Sequence, residues 1–352
     1  MRPPERAETG LSGRQTLTAP LIYGCAGTAL SDRERGFFRD SAPLGFILFA
    51  RNCDAPAQIR AMVDDLRATR QGNPVLILID QEGGAVARLT PPQFRAAPPA
   101  KIFGDLARRD RAAAVEAAHL NARLFASELH PLGINVDCLP LLDVPAPGGH
   151  DIIGDRAFST DPGLVADLGR AAAEGLLSGG VLPVAKHIPG HGRASADSHL
   201  ALPVVDAPAD DLSRTDFAPF HQLRDLPLAM TGHVVYSSID PDRPATTSAI
   251  IIERVIRDAI GFDGLLMSDD ISMEALDGSV GARARAALDA GCDGVLHCNG
   301  DMDEMTAIAD NAGAISSTAE HRAQAAFAKI TEPGLFDPVD GRERLDQLLG
   351  RA

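Results

Sequence analysis

Short apolar segments recur along the chain at intervals typical of buried strands. Their apolar character is nearly continuous instead of alternating with polar residues, as in strands that are covered on both faces of a parallel sheet. The eight segments are LIYGC (21–25), GFILFA (45–50), VLILID (75–80), INVDCLPLLDV (134–144), VLPVAKH (181–187), LAMTGHVV (228–235), GLLMSDD (264–270) and GVLHCN (294–299).

Amphipathic helices are predicted between these strands. In the segment 54–70, Asp54 can cap a helix whose apolar residues share one stripe at helical spacing. That stripe contains Ile59, Met62, Val63 and Leu66. Similar patterns occur at about 110–130, 162–178, 209–224, 248–260, 280–291, 302–313 and 316–330.

The alternation of strands and helices predicts an α/β fold, a single TIM-like (β/α)8 barrel. No glycine-rich dinucleotide fingerprint follows the first strand, which disfavours a doubly wound sheet. No linker rich in Gly, Pro or Ser divides the chain. We therefore expect one catalytic barrel domain over 1–352, with its core at about 20–330 and a C-terminal surface segment, 331–352, packed on the barrel.

Charge and cysteine content restrict the partners and the compartment. The chain has 48 acidic and 33 basic side chains, a formal charge of -15, and no basic run, so no nucleic-acid partner is expected. An odd number of cysteines in apolar or strand-like contexts suggests reduced thiols, as in the cytoplasm. They are Cys25, Cys53, Cys138, Cys292 and Cys298.

The amino-terminal sequence and the apolar segments give no prediction of membrane association. The first 20 residues have no apolar signal region, and no later stretch has the roughly 18 unbroken apolar residues of a membrane span. LIYGC slightly resembles a lipoprotein cleavage site at Cys25, but without a preceding apolar segment it is interpreted as a strand. A cytoplasmic protein is expected.

Polar residues lie at the carboxyl ends of five predicted strands. In a TIM barrel these ends meet in one mouth, where active sites form, so the five ends together predict a catalytic mouth. The residues are Asp80 after strand three, Asp143 after strand four, Lys186 and His187 after strand five, His233 after strand six, and Asp269 and Asp270 after strand seven.

The loop KHIPGHGRASADSH (186–199) is rich in titratable groups. His187 and His191 have the spacing of a zinc-binding HExxH helix, but Pro189 and Gly190 disfavour a helix, and residue 188 is Ile instead of Glu. No metal and no organic cofactor is predicted. A structural role, in which the histidines hydrogen-bond loop backbone groups, stays open at this point.

The residue types at the mouth favour hydrolysis. A phosphate substrate would need a basic or glycine-rich cradle near the last strands, whereas CNGDMDEM (298–305) is acidic. Carboxylates, histidines and isolated bases suit acid/base and nucleophilic catalysis. Sugar hydroxyls can be bound by such side chains, and glycoside hydrolysis usually employs two carboxyl groups.

Four motifs resemble those of the family 3 glycoside hydrolases, specifically the bacterial β-N-acetylglucosaminidases that recycle cell-wall muropeptides. They are DQEGGAVARL (80–89), IIGDRAFS (152–159), KHIPGHGRASADSH (186–199) and LLMSDDISMEAL (265–276). The resemblance extends in the same order from about residue 20 to 330. It implies a single barrel without the second α/β domain of larger relatives.

The resemblance also implies roles for individual residues. Asp269 would be the nucleophile, His199 the proton donor, and Asp197 its orienting partner. An imidazole suits this role because its ordinary pKa is already about 6.5. The sugar would be bound by Asp80, Arg88, Arg156, Lys186 and His187, with His233 as a wall of the pocket and His191 as a loop anchor.

Several alternatives accompany these assignments. Arg88 and Arg156 could form surface salt bridges, and Asp270 could cap a helix after strand seven. Because neighbouring strand residues point to opposite faces, only one of Asp269 and Asp270 is expected to face the mouth. Ala85 replaces a basic residue found in many family members, and LIYGCAG lacks an acidic residue that some relatives have.

The expected function is a retaining exo-β-N-acetylglucosaminidase. It would remove terminal N-acetylglucosamine from muropeptides in peptidoglycan recycling, through a covalent glycosyl-enzyme intermediate. A β-glucosidase or β-xylosidase of the same family is one alternative, although the Asp197 and His199 pair argues against it. A catalytically silent sugar-binding barrel is the other.

Overall fold

A closed barrel of eight parallel strands forms the centre of the molecule. The computed structural model describes residues 18–146, 153–194 and 202–351. The barrel strands are β1 (Ala19–Gly24), β2 (Pro43–Leu48), β3 (Leu76–Ile79), β4 (Val136–Asp137), β5 (Leu182–Ile188), β6 (Leu228–Thr231), β7 (Leu265–Asp270) and β8 (Gly294–His297).

The strands follow one another around the barrel in sequence order, and β8 closes the ring on β1 with Leu21 opposite Val295. This confirms the predicted TIM-like barrel. The strand predicted over 134–144 is much shorter than expected, since β4 has two residues and is followed by an isolated bridge at Leu141. Pro140 lies between them and has no backbone N–H to donate to a ladder.

Helices surround the barrel. They are α1 (Asp32–Ser41), α2 (Pro56–Thr69), α3 (Lys101–Ala107), α4 (Arg111–Leu129), α5 (Pro162–Ser178), α6 (Ala209–Arg214), α7 (Ala218–Gln222), a π-helix (Ile251–Ala259), α8 (Val280–Ala290), α9 (Met302–Ala312), α10 (Ser317–Phe327) and α11 (Pro338–Leu348).

All eight predicted helical regions are present, with two differences. The region 209–224 forms two short helices, and the region 248–260 forms a π-helix. Three helices were not predicted, namely α1, α3 and α11. The last of these lies in the predicted C-terminal surface segment and packs on α4, where Arg344 pairs with Glu116 at 2.7 Å.

Apolar side chains fill the barrel and close it at the amino ends of the strands. Ile22, Leu78 and Met267 are among the buried residues of the barrel interior. Phe327 and Ile330, near the end of α10, pack against the same cluster beside the amino ends of the strands. A polar cavity opens at the opposite end of the barrel, at the carboxyl ends of the strands. Among the described residues, no helix is both long and apolar enough to cross a membrane.

Candidate active site

A cavity of about 450 Å³ lies at the carboxyl ends of the barrel strands. Its volume falls in the range of small-molecule sites. Met230 and Leu296, which belong to the packed barrel interior, form part of its lining. The charged or titratable lining residues are Asp80, Glu82, Arg88, Asp155, Arg156, Lys186, His187, Asp269 and Asp270.

Lys186 is the centre of a buried ionic network. Its ammonium lies 2.8 Å from Oδ1 of Asp80 and 2.6 Å from Oε1 of Glu82. Burial alone would raise the pKa of Asp80, but Lys186 and Arg88 lower it well below the ordinary value. Burial alone would lower the pKa of Lys186, but the negative charges of Asp80 and Glu82 outweigh this effect and raise it. Asp80 and Lys186 are therefore both ionised at neutral pH.

Two arginines complete this network from the sides of the cavity. Arg88 donates to Asp80 Oδ2 at 3.0 Å, and Arg156 donates through Nη2 and Nε to Glu82 at 2.8 and 2.9 Å. Both carboxylate partners border the cavity, and the Arg156 side chain is only 16% exposed. These are not the surface salt bridges that the sequence left as an alternative.

Asp143 connects the end of strand β5 with the turn that follows it. The buried carboxylate lies 2.7 Å from Nδ1 of His187 and accepts hydrogen bonds from the backbone N–H groups of His187 and His191. Burial opposes its ionisation, but the two histidines and these donors lower the pKa of Asp143 to about 2. Burial also lowers the pKa of His191 to about 4.

The histidine spacing does not produce a helical metal site. Strand β5 ends at Ile188, and the described residues after it form turns instead of the helix that an HExxH site requires. In the part of the chain that the structure describes, no three His, Cys, Asp or Glu side chains are grouped so that they could hold a metal ion.

Asp269 and Asp270 both border the cavity, so the prediction that only one would do so was wrong. The pairing of β7 with β8 shifts register between Met267 and Asp270, and this irregularity breaks strict alternation. Burial would raise the pKa of Asp269, but His187 and the N–H of Asp270 contribute to lowering it. Asp269 is therefore ionised at neutral pH.

The Asp270 carboxylate is occupied by the protein. It accepts hydrogen bonds from the backbone N–H and hydroxyl of Ser272 and from the backbone N–H of Cys298. No helix follows directly, because the next one begins at Val280. Asp270 thus stabilises a turn instead of the predicted helix, whereas the carboxylate of Asp269 accepts one hydrogen bond from the described residues, from the backbone N–H of Asp270.

His233 lies behind the cavity and not in its wall, which corrects the sequence expectation. It is fully buried, and its Nε2 donates to the backbone carbonyl of Asp270 at 2.9 Å. Burial lowers the pKa of His233, so the neutral ring accepts at Nδ1 from the hydroxyl of Thr246, 2.7 Å away. Both ring nitrogens are therefore used inside the protein.

Apart from His233, the predicted catalytic and sugar-binding residues divide into two groups. Asp80, Arg88, Arg156, Lys186, His187 and Asp269 all border one cavity. Asp197 and His199 lie outside the described residues. Sequence analysis missed Glu82 as a member of the site, although it stands two positions after Asp80 in a quoted motif. It also left Asp143 without a role, although its place at a strand end was a signal.

The family model described as the glycosyl hydrolase family 3 N terminal domain matches residues 29–332. The chain belongs to glycosyl hydrolase family 3. A beta-hexosaminidase of Bordetella avium (strain 197N) is 40% identical over 284 residues, 80% of each chain. A beta-hexosaminidase of Alkalilimnicola ehrlichii is 41% identical over 287 residues, 80% of this chain and 81% of the relative.

Solved structures of the family have the same fold. NagZ from Neisseria gonorrhoeae in complex with N-trifluoroacetyl-D-glucosamine superposes with a TM-score of 0.84 at 32% identity, over 96% of this chain and 98% of that chain. A family 3 β-N-acetylglucosaminidase from Paenibacillus sp. str. FPU-7 gives 0.84 at 31% identity, over 94% of this chain and 66% of that chain. This member of family 3 is a glycoside hydrolase.

Proposed function

We propose that this family 3 enzyme is an exo-acting β-N-acetylglucosaminidase that removes terminal N-acetylglucosamine from muropeptides in peptidoglycan recycling. The observation that carries the proposal is the position of Asp269, an ionised, half-buried carboxylate that borders a cavity lined by the predicted sugar-binding residues. The names of the relatives, beta-hexosaminidase and β-N-acetylglucosaminidase, support the same substrate class.

The proposed reaction proceeds with retention. Asp269 attacks the anomeric carbon and forms a covalent glycosyl-enzyme intermediate, which water then hydrolyses. An ionised carboxylate is required for this attack, and the lowered pKa of Asp269 supplies it. Asp270 does not compete for the role, because its oxygens already accept three hydrogen bonds.

The ionic network is proposed to bind the hydroxyl and acetamido groups of the sugar. Lys186 keeps one N–H donor beyond those given to Asp80 and Glu82, since an ammonium has three donors. The packed barrel interior forms the floor of the cavity. The terminal sugar of a glycan can therefore reach this floor, whereas an internal sugar, which is linked on both sides, cannot.

His199 is proposed as the proton donor and Asp197 as its orienting partner. This assignment rests on the motif alone, in which Asp197 precedes His199 by two positions. An imidazole suits proton transfer at neutral pH. We place the reaction in the cytoplasm, in keeping with five free thiols in the chain.

A panel of nitrophenyl glycosides tests the proposal. We expect turnover of the β-N-acetylglucosaminide and of an N-acetylglucosaminyl-1,6-anhydromuramyl substrate, with little turnover of the β-glucoside or β-xyloside. Asp269→Asn is the matched control, because it keeps the shape of the side chain and removes its charge. Preferred turnover of the β-glucoside or β-xyloside would instead support a β-glucosidase or β-xylosidase of the same family. Binding of the sugar without turnover would support a catalytically silent sugar-binding barrel.

A further inference from the structure

The carboxylate of Asp143 is fully buried and faces three donors from one segment of chain. Oδ2 lies 2.7 Å from Nδ1 of His187, while Oδ1 accepts from the backbone N–H of His187 at 3.2 Å and from that of His191 at 2.6 Å. Sequence analysis gave Asp143 no role in the reaction. It does not border the cavity, whereas His187 does.

This contact determines where a proton sits on the imidazole. An ionised carboxylate can only accept hydrogen bonds, so the 2.7 Å contact requires a proton on Nδ1 of His187. The opposite edge of the ring, which carries Nε2, is then left for the cavity. The two backbone hydrogen bonds to Oδ1 keep the carboxylate and the ring in one relative position.

We propose that Asp143 is a positioning residue that fixes the orientation and the Nδ1–H tautomer of His187, so that Nε2 is presented to the sugar. The inference deepens the proposed function and rests on it, because it needs His187 to contact the substrate. Asp143 itself touches neither the substrate nor Asp269 in this scheme. It acts only through His187.

The variant Asp143→Asn tests this dependence with little change of shape. The amide can place its oxygen on the backbone donors, but its NH₂ group then faces Nδ1 of His187 and favours a proton on Nε2. We expect kcat/KM for a nitrophenyl β-N-acetylglucosaminide to fall about 10- to 100-fold, the factor that corresponds to one hydrogen bond with a charged group. In a His187→Ala background the same change should cost less than about 2-fold, since residues that act as a unit are not additive.

Asp216→Asn is the matched control. Asp216 is also a buried aspartate packed against this loop, at Gly190, but it pairs with Arg193 and Thr215 and not with His187. The Asp216→Asn substitution should change kcat/KM by the same factor in the wild type and in the His187→Ala background. If Asp143→Asn costs as much in the His187→Ala background as in the wild type, or nothing in either, the positioning role is overturned.

A second measurement needs neither a substrate nor a stable Asp143 variant. Nitrogen NMR of the wild-type protein labelled at histidine, assigned by difference from His187→Ala, should show a proton on Nδ1 of His187. A proton on Nε2 alone would overturn the proposal. Because this signal is independent of turnover, it also separates a failure of the inference from a failure of the proposed glycosidase activity.

Discussion

The ammonium of Lys186 lies 2.8 Å from Oδ1 of Asp80, although 106 positions separate the two residues in the chain. Both side chains are largely removed from solvent, with 2% and 14% exposed. Replacing Lys186 with Met would leave Asp80 and Glu82 without their shared cation. We expect the free energy of unfolding, measured by urea denaturation, to fall by about 3–5 kcal/mol, as when a buried ion pair loses one partner.

Arg344→Ala is the control for the Lys186 prediction. The pair of Arg344 with Glu116 is about half-exposed on the surface, so its loss should lower the free energy of unfolding much less than Lys186→Met does. Equal and small effects of the two changes would show that the network around Lys186 contributes no more to stability than a surface pair.

Asp269→Ala should nearly abolish turnover and leave the fold intact. A 5-fluoro N-acetylglucosaminyl donor should leave a covalent adduct on Asp269, which mass spectrometry of the peptide LLMSDDISM can locate. The competing mechanism uses the acetamido oxygen of the substrate as the nucleophile. Absence of an adduct together with tight inhibition by a thiazoline would establish that mechanism instead.

Asp270→Ala is expected to affect stability more than chemistry. The change removes the acceptor of three hydrogen bonds, from Ser272 and Cys298, and leaves these partly buried donors without their partner. We expect the free energy of unfolding to fall by about 1–3 kcal/mol. The loss of turnover should be much smaller than in Asp269→Ala, and equal losses would contradict the separate roles of the two carboxylates.

Asp197→Ala and His199→Ala should each impair turnover strongly, and their effects should not add in the double variant. A substrate with a good leaving group should lose less activity in His199→Ala than one whose leaving group needs a proton. Steady-state rates on a dinitrophenyl and an alkyl glycoside make the comparison. Equal losses on both would remove His199 from the proton-donor role.

His191 is expected to make the protein less stable as the pH falls from about 6.5 to about 4. Its pKa is lowered to about 4 in the folded state, so the unfolded chain binds more protons than the folded one within this range. Stability therefore rises with pH there, by about 3 kcal/mol at most. His191→Asn should flatten this part of the dependence of unfolding free energy on pH, and an unchanged slope would contradict the assignment.

The sequence alone determined the barrel and most of its site, because both depend on local patterns. Buried strands have continuous apolar segments, and the carboxyl ends of parallel strands meet at one mouth. Asp80, Lys186, His187 and Asp269 could therefore be placed together before any contact was known. Helix α1 was missed although Ser31 and Glu34 form a capping box, since Phe37 and Phe38 are the only large apolar side chains in its charged sequence.

Only the tertiary structure decided how the side chains at the mouth are paired. Glu82 binds Arg156 and Lys186 from distant parts of the chain, and Asp143 binds a histidine 44 positions away. His233 has the strand-end position of a cavity residue, yet its ring is fully used by Thr246 and the carbonyl of Asp270. The periodicity of a sequence indicates which face of a strand or helix a residue occupies. Its burial and its hydrogen-bond partners depend instead on the donors and acceptors that neighbouring strands and loops place around it.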